Sequence, residues 1–201
     1  MRGFESKPGS HSQRSIVNDR RTLFLHLLRV SSNLRPATLS GLELRVMKKL
    51  SWEDIEEITD KLADKIKASG FKPDYIVGIT TGGLIPLYFL IKKLDIYHIL
   101  TVSASSYERD QQKELKIAYL PEIDLIGKKL LFVDEITDTG VSLKGVLDAV
   151  VNKYKPEEIK TATLVVKTDR CKFYPDFYVV TEQGEWVVFP WEKEEFPEYF
   201  K

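Results

Sequence analysis

The sequence predicts an α/β domain with a largely parallel central sheet flanked by helices. Short runs of β-branched and aromatic residues alternate along the chain with segments whose apolar residues recur every three or four positions. This alternation is typical of parallel strands connected by helices. In addition, polar glycine-containing loops, at residues 80–83 and 138–142, follow predicted strands and precede predicted helices.

The first predicted helix has recognisable signals at both ends. Ser51, followed three residues later by Asp54, resembles a capping box, in which each residue satisfies a backbone N–H of the other. Gly70 is expected to end the helix, because glycine readily adopts the backbone conformation found there. Apolar residues mark one face of the helix between these signals: Ile55, Ile58, Leu62 and Ile66.

The remaining elements follow in chain order. Strands are predicted at residues 75–79, 98–104, 114–120, 130–133, 161–166 and 177–180. Residues 84–93 are predicted to form a helix, with Pro86 tolerated in its first turn, and the polar residues 105–112 a loop. The last predicted helix follows the strand at 130–133, and its apolar face is Leu143, Leu147, Val150, Val151 and Tyr154.

The charge distribution divides the chain at residue 47. Lysine and arginine total 30, as do the acids, but residues 1–46 hold eight basic and only three acidic residues. We therefore expect a basic N-terminal extension at 1–46 and one domain at 47–201. A disordered tail preceding the functional start at Met47 is the favoured interpretation of the extension; an organelle transit peptide and a basic nucleic-acid-binding arm are the alternatives.

Composition excludes several classes of protein. The single Cys171 rules out an internal disulfide, and three histidines with one cysteine make no cluster at zinc spacing. The longest apolar runs are too short to span a bilayer. We expect a cytoplasmic protein without a membrane partner, and the overall charge balance gives no reason to expect a nucleic-acid partner.

One stretch, LLFVDEITDTGVS, carries most of the functional information. Its apolar start predicts a strand, and we expect the acids and hydroxyl groups that follow to lie in a strand-to-helix loop. Thr139, Gly140 and Ser142 at a helix N-terminus suit a phosphate group. Asp134 and Glu135 suit vicinal sugar hydroxyls, a magnesium ion, or both. Together these groups describe a site for a phosphorylated ribose.

At this point the sequence resembles the type I phosphoribosyltransferases. Their motif is an apolar strand, two acids, two spacer residues and then Asp-Thr-Gly-x-Ser/Thr, which the chain matches from Asp134 to Ser142. The resemblance covers about residues 50–195. It implies that 5-phosphoribosyl-1-pyrophosphate (PRPP) binds to the two acids and the loop, and that Mg²⁺ is the cofactor, held by Asp134 and Glu135. The implied PRPP-binding residues are Asp134, Glu135, Asp138, Thr139, Gly140, Val141 and Ser142.

Two further segments take on roles through the same resemblance. The loop containing Thr81 and Gly82 is implied to hold pyrophosphate through its backbone amides, although relatives often carry a basic residue where this chain has Thr81. That departure leaves the pyrophosphate charge less neutralised. The polar segment around Ser106 and Tyr107 resembles a flexible hood loop that closes over the site, which would protect a cationic sugar intermediate from water.

The C-terminal part resembles the base-binding hood of the purine branch, whose substrates are xanthine, guanine and hypoxanthine. The resemblance implies that Lys167 donates to the purine O6 atom, that Trp186 stacks on the ring, and that the backbone at Val187 reads the base edge. Glu192 is implied to shape the 2-position or to hold a second magnesium ion. Asp138 is the implied catalytic residue, as acceptor of the purine N7 proton.

The expected function is therefore transfer of phosphoribose from PRPP to a 6-oxopurine, giving the nucleoside 5′-monophosphate and pyrophosphate, as in purine salvage. Adenine or orotate transferases are alternatives, against which Lys167 and Trp186 argue. A non-catalytic PRPP-sensing regulator is another, but residues 1–46, its only candidate DNA-binding module, lack a helix-turn-helix pattern. The sequence leaves the preferred 6-oxopurine open, and the resemblance implies a homodimer or homotetramer.

Overall fold

The computed structural model of the chain describes residues 47–108 and 111–200. The predicted N-terminal extension lies outside the described residues, so the division of the chain at residue 47 stays a prediction. The elements in chain order are β1 (Met47–Lys49), α1 (Trp52–Ala68), β2 (Tyr75–Thr80), α2 (Leu84–Leu94), β3 (Ile99–Glu108), β4 (Gln111–Tyr119), β5 (Lys129–Thr137), α3 (Val141–Tyr154), β6 (Glu158–Lys167), β7 (Phe177–Glu182) and β8 (Trp186–Val188), with 3₁₀ turns at Pro190–Glu192 and Pro197–Phe200.

The main sheet confirms the predicted α/β class. Its six strands lie in the order β4-β3-β2-β5-β6-β7, and every neighbouring pair is parallel except β3 with β4. Because β2, β5 and β6 are parallel neighbours, their carboxyl ends meet at one edge of the sheet. The carboxyl ends of these three strands and the segments that directly follow them carry most of the predicted site residues, and such an edge is where open α/β sheets bind ligands.

Two apolar cores form on opposite faces of the sheet, and β5 contributes to both. Leu131 and Val133 belong to the core beneath α1 and α2, whereas Leu130 and Phe132 belong to the core beneath α3. Successive side chains of a strand point to opposite faces, so this central strand is apolar on both sides. The sheet edge that carries the site is thereby anchored from both faces.

Helix α1 has the ends that the sequence predicts. The Ser51 hydroxyl accepts a hydrogen bond from the Asp54 backbone N–H at 3.1 Å, and the Asp54 carboxylate accepts one from the Ser51 N–H at 2.8 Å. The helix ends at Ala68, and Gly70 has a φ of +73°, in the left-handed region that favours glycine. All four apolar residues of the predicted face are buried.

Two predictions for other elements are wrong. Residues 105–112 were predicted as a loop, but β3 runs to Glu108 and β4 begins at Gln111, because antiparallel pairing of the two strands compensates for a polar sequence of low strand propensity. On α3, Val151 is 49 % exposed and Val146 is buried instead. The residues buried on α3 are Leu143, Val146, Val150 and Tyr154, and Val151 points away from them because successive residues of a helix are about 100° apart.

A small second sheet, formed by β1 and β8, was not predicted. The two short strands are parallel, with Met47 opposite Trp186 and Lys49 opposite Val188. The Leu50 backbone N–H continues the pairing by donating to the Val188 carbonyl at 2.9 Å. Both side chains are buried, and that of Leu50 belongs to the core beneath α1. This sheet fixes the C-terminal segment against the start of the domain. In the described part of the chain, no helix combines the length and apolar character needed to cross a membrane.

We predict that a protein beginning at Met47 keeps its fold, whereas one beginning at Ser51 is destabilised. The second truncation removes the pairing partner of β8 and the buried side chain of Leu50, and loss of one buried leucine alone costs about 2–5 kcal/mol. Thermal unfolding of the two truncated proteins beside the full chain measures the difference. Equal stability of the two truncated proteins would show that β1 does not support the domain.

Candidate functional site

The two adjacent acids lie inside a strand and not in the loop where the sequence placed them. Strand β5 continues to Thr137, because the backbone beyond Val133 still pairs with β6: Asp134 lies opposite Thr163, and Ile136 opposite Val165. The apolar pattern stops at Val133, so periodicity alone predicted too short a strand. Sheet pairing therefore holds both carboxyl groups in a fixed position at the carboxyl end of β5.

Both carboxyl groups are withdrawn from water, although each residue keeps some exposed surface. Burial raises the pKa of Asp134 from its ordinary 3.8 to about 7, opposed by a hydrogen bond from the Glu135 backbone N–H at 2.9 Å. Burial also raises the pKa of Glu135, from 4.5 to about 8, and the charges of Asp134 and Glu192 raise it further. The two adjacent groups titrate as a coupled pair.

The loop after β2 packs directly against Glu135. A Cβ atom at Gly82 would lie 2.1 Å from the carboxyl carbon of Glu135, and one at Gly83 would lie 2.4 Å from the Val133 carbonyl oxygen. Side chains at these positions would displace the acid or the strand. The structure thus brings Gly82 and Glu135 together. Thr81 is exposed in the same loop and is joined to Thr80 by a cis peptide bond.

The loop that resembles a phosphate cradle lies between β5 and α3. Gly140 has a φ of +78°, and a Cβ atom there would lie 2.3 Å from the Phe173 carbonyl oxygen, so the position requires glycine. The Thr139 hydroxyl accepts a hydrogen bond from the Val141 N–H at 3.4 Å. Helix α3 begins at Val141 and includes Ser142, so its first backbone N–H groups face the end of this loop.

The charges of Lys167 and Asp138 interact. Lys167 is the last residue of β6, and Asp138 directly follows the adjacent strand β5. Only 2 % of the Lys167 surface is exposed, and burial, followed by the positive charge of Arg170, lowers the pKa of its ammonium group. The negative charges of Asp169 and Asp138 act in the opposite direction. The Arg170 guanidinium forms an ion pair with the Asp138 carboxylate, with 2.9 Å between Nη2 and Oδ1. Arg170 was not predicted, since a lone arginine in a polar loop carries no sequence signal.

The C-terminal residues predicted to form the base-binding hood lie on β8 and in the 3₁₀ turn after it. Trp186 is 38 % exposed and Val187 is buried on β8. Within the described residues, the ring contact of Trp186 is with Phe196, at 6.4 Å between centroids, and not with Lys167. Glu192 accepts a hydrogen bond from the Phe189 backbone N–H at 2.7 Å, and burial raises its pKa.

The predicted hood loop has a defined backbone in part. Ser106 and Tyr107 lie in the terminal part of β3, where Tyr107 pairs with Gln112 of β4. Their side chains lie outside the described residues. The structure therefore gives Ser106 and Tyr107 a place on an antiparallel hairpin, and their role in closing over the site stays a prediction.

The acid pair fits the magnesium ion that the sequence implies. Among the described residues, no group of three or more His, Cys, Asp or Glu side chains could by itself hold a metal ion. Magnesium, however, is commonly bound by one or two carboxylates together with substrate phosphates and water. Oε2 of Glu135 is buried and has no hydrogen-bond partner in the described part of the chain. Asp134 and Glu135 would supply carboxylate oxygens of the required kind.

Comparison with known proteins gives a consistent set of relatives. The family description "Phosphoribosyl transferase domain" matches residues 50–195. A xanthine-guanine phosphoribosyltransferase of Cereibacter sphaeroides is 29 % identical over 150 residues, which cover 71 % of this chain and 85 % of the relative. A purine phosphoribosyltransferase structure from Pyrococcus horikoshii has a TM-score of 0.62 and 33 % identity, covering 72 % of this chain and 93 % of the other. A xanthine-guanine-hypoxanthine phosphoribosyltransferase structure from Helicobacter pylori has a TM-score of 0.66 and 28 % identity, covering 77 % and 99 %.

We predict that the ligand-free protein loses stability as the pH rises from about 4 to about 8. The pKa values of Asp134 and Glu135 are raised on folding, so the native state binds more protons than the unfolded chain between these limits. This stabilisation is complete below the unfolded pKa values and is lost above about 8. Because a pKa difference of one unit corresponds to about 1.4 kcal/mol, the expected loss is on the order of a few kcal/mol.

Urea unfolding at several pH values measures this loss. The double variant Asp134→Asn/Glu135→Gln should show a much flatter pH dependence than the wild type. Asp148→Asn, which changes an exposed carboxylate on α3, serves as the control and should keep the wild-type slope. Identical pH profiles for the double variant and the wild type would contradict the assignment.

Proposed function

The chain belongs to the phosphoribosyltransferase domain family, and on that premise we propose that it transfers phosphoribose from PRPP to a 6-oxopurine base. It is an enzyme of this transferase type, and its relatives support phosphoribosyl transfer to purine bases. The resemblance stated from the motif at residues 134–142 is thereby confirmed. The narrower choice of guanine, xanthine or hypoxanthine as acceptor is the proposal, and purine salvage is the corresponding metabolic role.

The observation that carries the proposal is the buried ammonium group of Lys167 beside Asp138. An ammonium group only donates hydrogen bonds, so it pairs with the O6 carbonyl of a 6-oxopurine and not with the 6-amino group of adenine. Its burial makes an unsatisfied donor costly, which strengthens discrimination against a base that offers no acceptor. Trp186, partly exposed on β8, offers an aromatic face for stacking, and Val187 offers backbone groups for the base edge.

The loop before α3 supports a site for the 5-phosphate of PRPP. The backbone N–H groups and the partial positive charge at the start of this helix favour an anion, and Thr139 and Ser142 carry hydroxyl groups there. Gly140 allows the loop to approach Phe173 closely. Val141 is the first residue of the helix, so its backbone lies at the helix N-terminus. Binding energy gained at this remote group would orient the ribose for reaction.

The acid pair would bind the ribose hydroxyls and magnesium. When bound, Mg²⁺ supplies charge neutralisation for the departing pyrophosphate. Asp134 and Glu135 must ionise to bind it, which their desolvated positions oppose until a cation arrives. The backbone at Thr81 and Gly82 would hold the pyrophosphate, and Gly82 already lies against Glu135. Glu192 is close enough for its charge to affect Glu135, which is compatible with a supporting role at a second ion.

Asp138 would act on the purine at its N7 atom. It lies at the end of β5 next to the phosphate loop and shares its surroundings with Lys167. Cleavage of the C1–O bond gives the sugar cationic character, which the negative charge of Asp138 would stabilise. The Asp138 carboxylate would also accept the proton from N7. The ion pair with Arg170 holds the carboxylate in place. Closure of the hairpin that carries Ser106 and Tyr107 would exclude water.

Other properties of the protein follow from the same proposal. PRPP and the purine base would be its small-molecule partners, without nucleic acid or membrane, and we propose a homodimer or homotetramer in the cytoplasm. A transferase for adenine or orotate would lack a use for the buried Lys167. A PRPP-sensing regulator would have no need of Asp138 and Lys167 together. Neither alternative has a specific observation in its favour.

We predict magnesium-dependent release of pyrophosphate from PRPP with guanine, xanthine or hypoxanthine, and little with adenine or orotate. Lys167→Met should lower kcat/KM for the 6-oxopurine by about 10- to 100-fold, because one hydrogen bond to a charged donor is worth roughly 1.5–3 kcal/mol. PRPP affinity should be nearly unchanged. Lys160→Met alters an exposed lysine on the same strand and should have no effect. Reaction with adenine or orotate alone would refute the base assignment, and PRPP binding without any transfer would favour the regulator.

We predict that Asp138→Asn lowers kcat by about 10²–10⁴-fold while PRPP affinity stays within a few-fold. Asparagine keeps the size of the side chain but cannot accept a proton or supply negative charge. Single-turnover rates and calorimetric PRPP binding separate the two effects. The double variant Asp134→Asn/Glu135→Gln is the comparison, since it should lose PRPP affinity. Poor PRPP binding by Asp138→Asn together with normal turnover at saturation would remove Asp138 from the chemistry.

A further inference from the structure

The proposed base-binding residues are divided between two sheets. Lys167, the proposed donor to O6, ends β6 of the main sheet, whereas Trp186 and Val187 lie on β8. Among the described strands, β8 pairs only with β1, and these two strands form the small sheet. The distance from the O6 donor to the groups proposed for the ring and the base edge therefore depends on contacts between the two sheets.

An ion pair joins the two sheets next to these residues. The Lys48 ammonium group on β1 forms it with the carboxylate of Glu182, the last residue of β7. In the register of the small sheet, Lys48 lies opposite Val187. In the register of the main sheet, Glu182 lies opposite Lys167. The pair thus connects the direct strand neighbours of two proposed base-binding residues.

Glu182 is a well-fixed partner for this contact. Its side chain is only 11 % exposed, so the positive charge of Lys48 compensates a carboxylate that is largely withdrawn from water. Its backbone carbonyl accepts a hydrogen bond at 3.0 Å from the N–H of Thr168, the residue directly after Lys167. Register partners on neighbouring strands carry their side chains on the same face of a sheet, so Glu182 and Lys167 share one face.

The turn between β7 and β8 is attached to the same part of the main sheet. The Gly184 backbone N–H donates a hydrogen bond at 3.3 Å to the carboxylate of Asp169, which follows Lys167 by two residues. Trp186 comes two residues after Gly184. The small sheet is therefore connected to the end of the main sheet at the turn before Trp186 and again through Lys48.

We propose that the Lys48–Glu182 ion pair is a positioning element for the purine-binding residues. It holds the β8 groups of Trp186 and Val187 at a fixed distance from the ammonium group of Lys167. The inference rests on the proposed function, because that function assigns these residues to the base. It goes further in giving a role to two residues that no motif indicated. Lys48 and Glu182 contact neither substrate and act only through the placement of β8.

Two single variants test the proposal. Lys48→Met removes one charge and keeps a long side chain, and Glu182→Gln removes the other with little change in size. KM for the 6-oxopurine should rise about three- to tenfold in each, since a partly exposed ion pair is lost and the pocket shifts slightly. Both kcat and the calorimetric affinity for PRPP with Mg²⁺ should stay within about twofold of the wild type. Lys48→Arg keeps the charge and should keep the wild-type KM.

Lys93→Met is the matched control, because it breaks an ion pair that joins α2 to Asp60 of α1 and not the two sheets. It should leave KM and PRPP affinity unchanged. If Lys48 and Glu182 act as a unit, the double variant Lys48→Met/Glu182→Gln should raise KM little more than the larger single effect. Independent, additive effects on KM would overturn the proposal.

Folding of the variants is checked by thermal unfolding. The Lys48 side chain is 42 % exposed, and Val187 anchors the small sheet in the core beneath α1, so Lys48→Met should fold. If Glu182→Gln does not fold, Lys48→Met and Lys48→Arg carry the test alone. A loss of stability with an unchanged KM would leave the ion pair a structural role only and would overturn the proposal.

The remaining outcomes separate this inference from the proposed function. An active enzyme whose Lys48→Met variant keeps its purine KM, or loses PRPP affinity equally, would overturn the positioning role and leave the proposed function in place. An equal rise of KM in Lys93→Met would do the same. A wild type that transfers phosphoribose to no purine would overturn the proposed function, and this inference with it.

Discussion

The structure is organised around two adjacent carboxyl groups that are buried at the carboxyl end of β5. Burying such groups is unfavourable unless they are neutral or matched by a partner, and here both pKa values are raised to near or above neutrality. Pairing with β6 prevents Asp134 from turning away, and the loop at Gly82 lies directly against the Glu135 carboxyl group. The two carboxyl groups are therefore largely protonated near neutral pH, and a bound cation would favour their ionised forms.

Opposite charges are separated on the two sides of the loop between β5 and α3. The acid pair lies before the loop on β5, whereas Lys167 ends the neighbouring strand β6 and Arg170 follows it. Asp138 lies between them and is paired with Arg170. An arrangement of this kind suits a substrate pair in which one partner carries a magnesium-bound pyrophosphate and the other a carbonyl acceptor. In the proposed function, Asp138 is the acid for proton transfer, and its charge interacts with that of Lys167, the proposed base-binding residue.

The sequence predicted what depends on local pattern. The capping box at Ser51, the parallel sheet and the loop at residues 138–140 all follow from short-range spacing and residue type. The extension of β5 through Asp134 could not be predicted, because polar residues were held in a strand by pairing with β6. The β1–β8 sheet joins distant parts of the chain and leaves no signal in local periodicity. Residue chemistry alone suggested the phosphate and sugar roles at residues 134–142, whereas the roles of Asp138, Lys167 and Trp186 came from the resemblance.

The most direct test of this account is the number of protons released when Mg²⁺-loaded PRPP binds near pH 7. Calorimetry in buffers of different ionisation enthalpy measures it. Because the pKa values of Asp134 and Glu135 lie at about 7 and 8 in the free protein, binding of a cation to their ionised forms should release protons. The release should largely disappear in Asp134→Asn/Glu135→Gln. Tight binding of the ligand by the wild type with no more proton release than by this variant would contradict the central role of the acid pair.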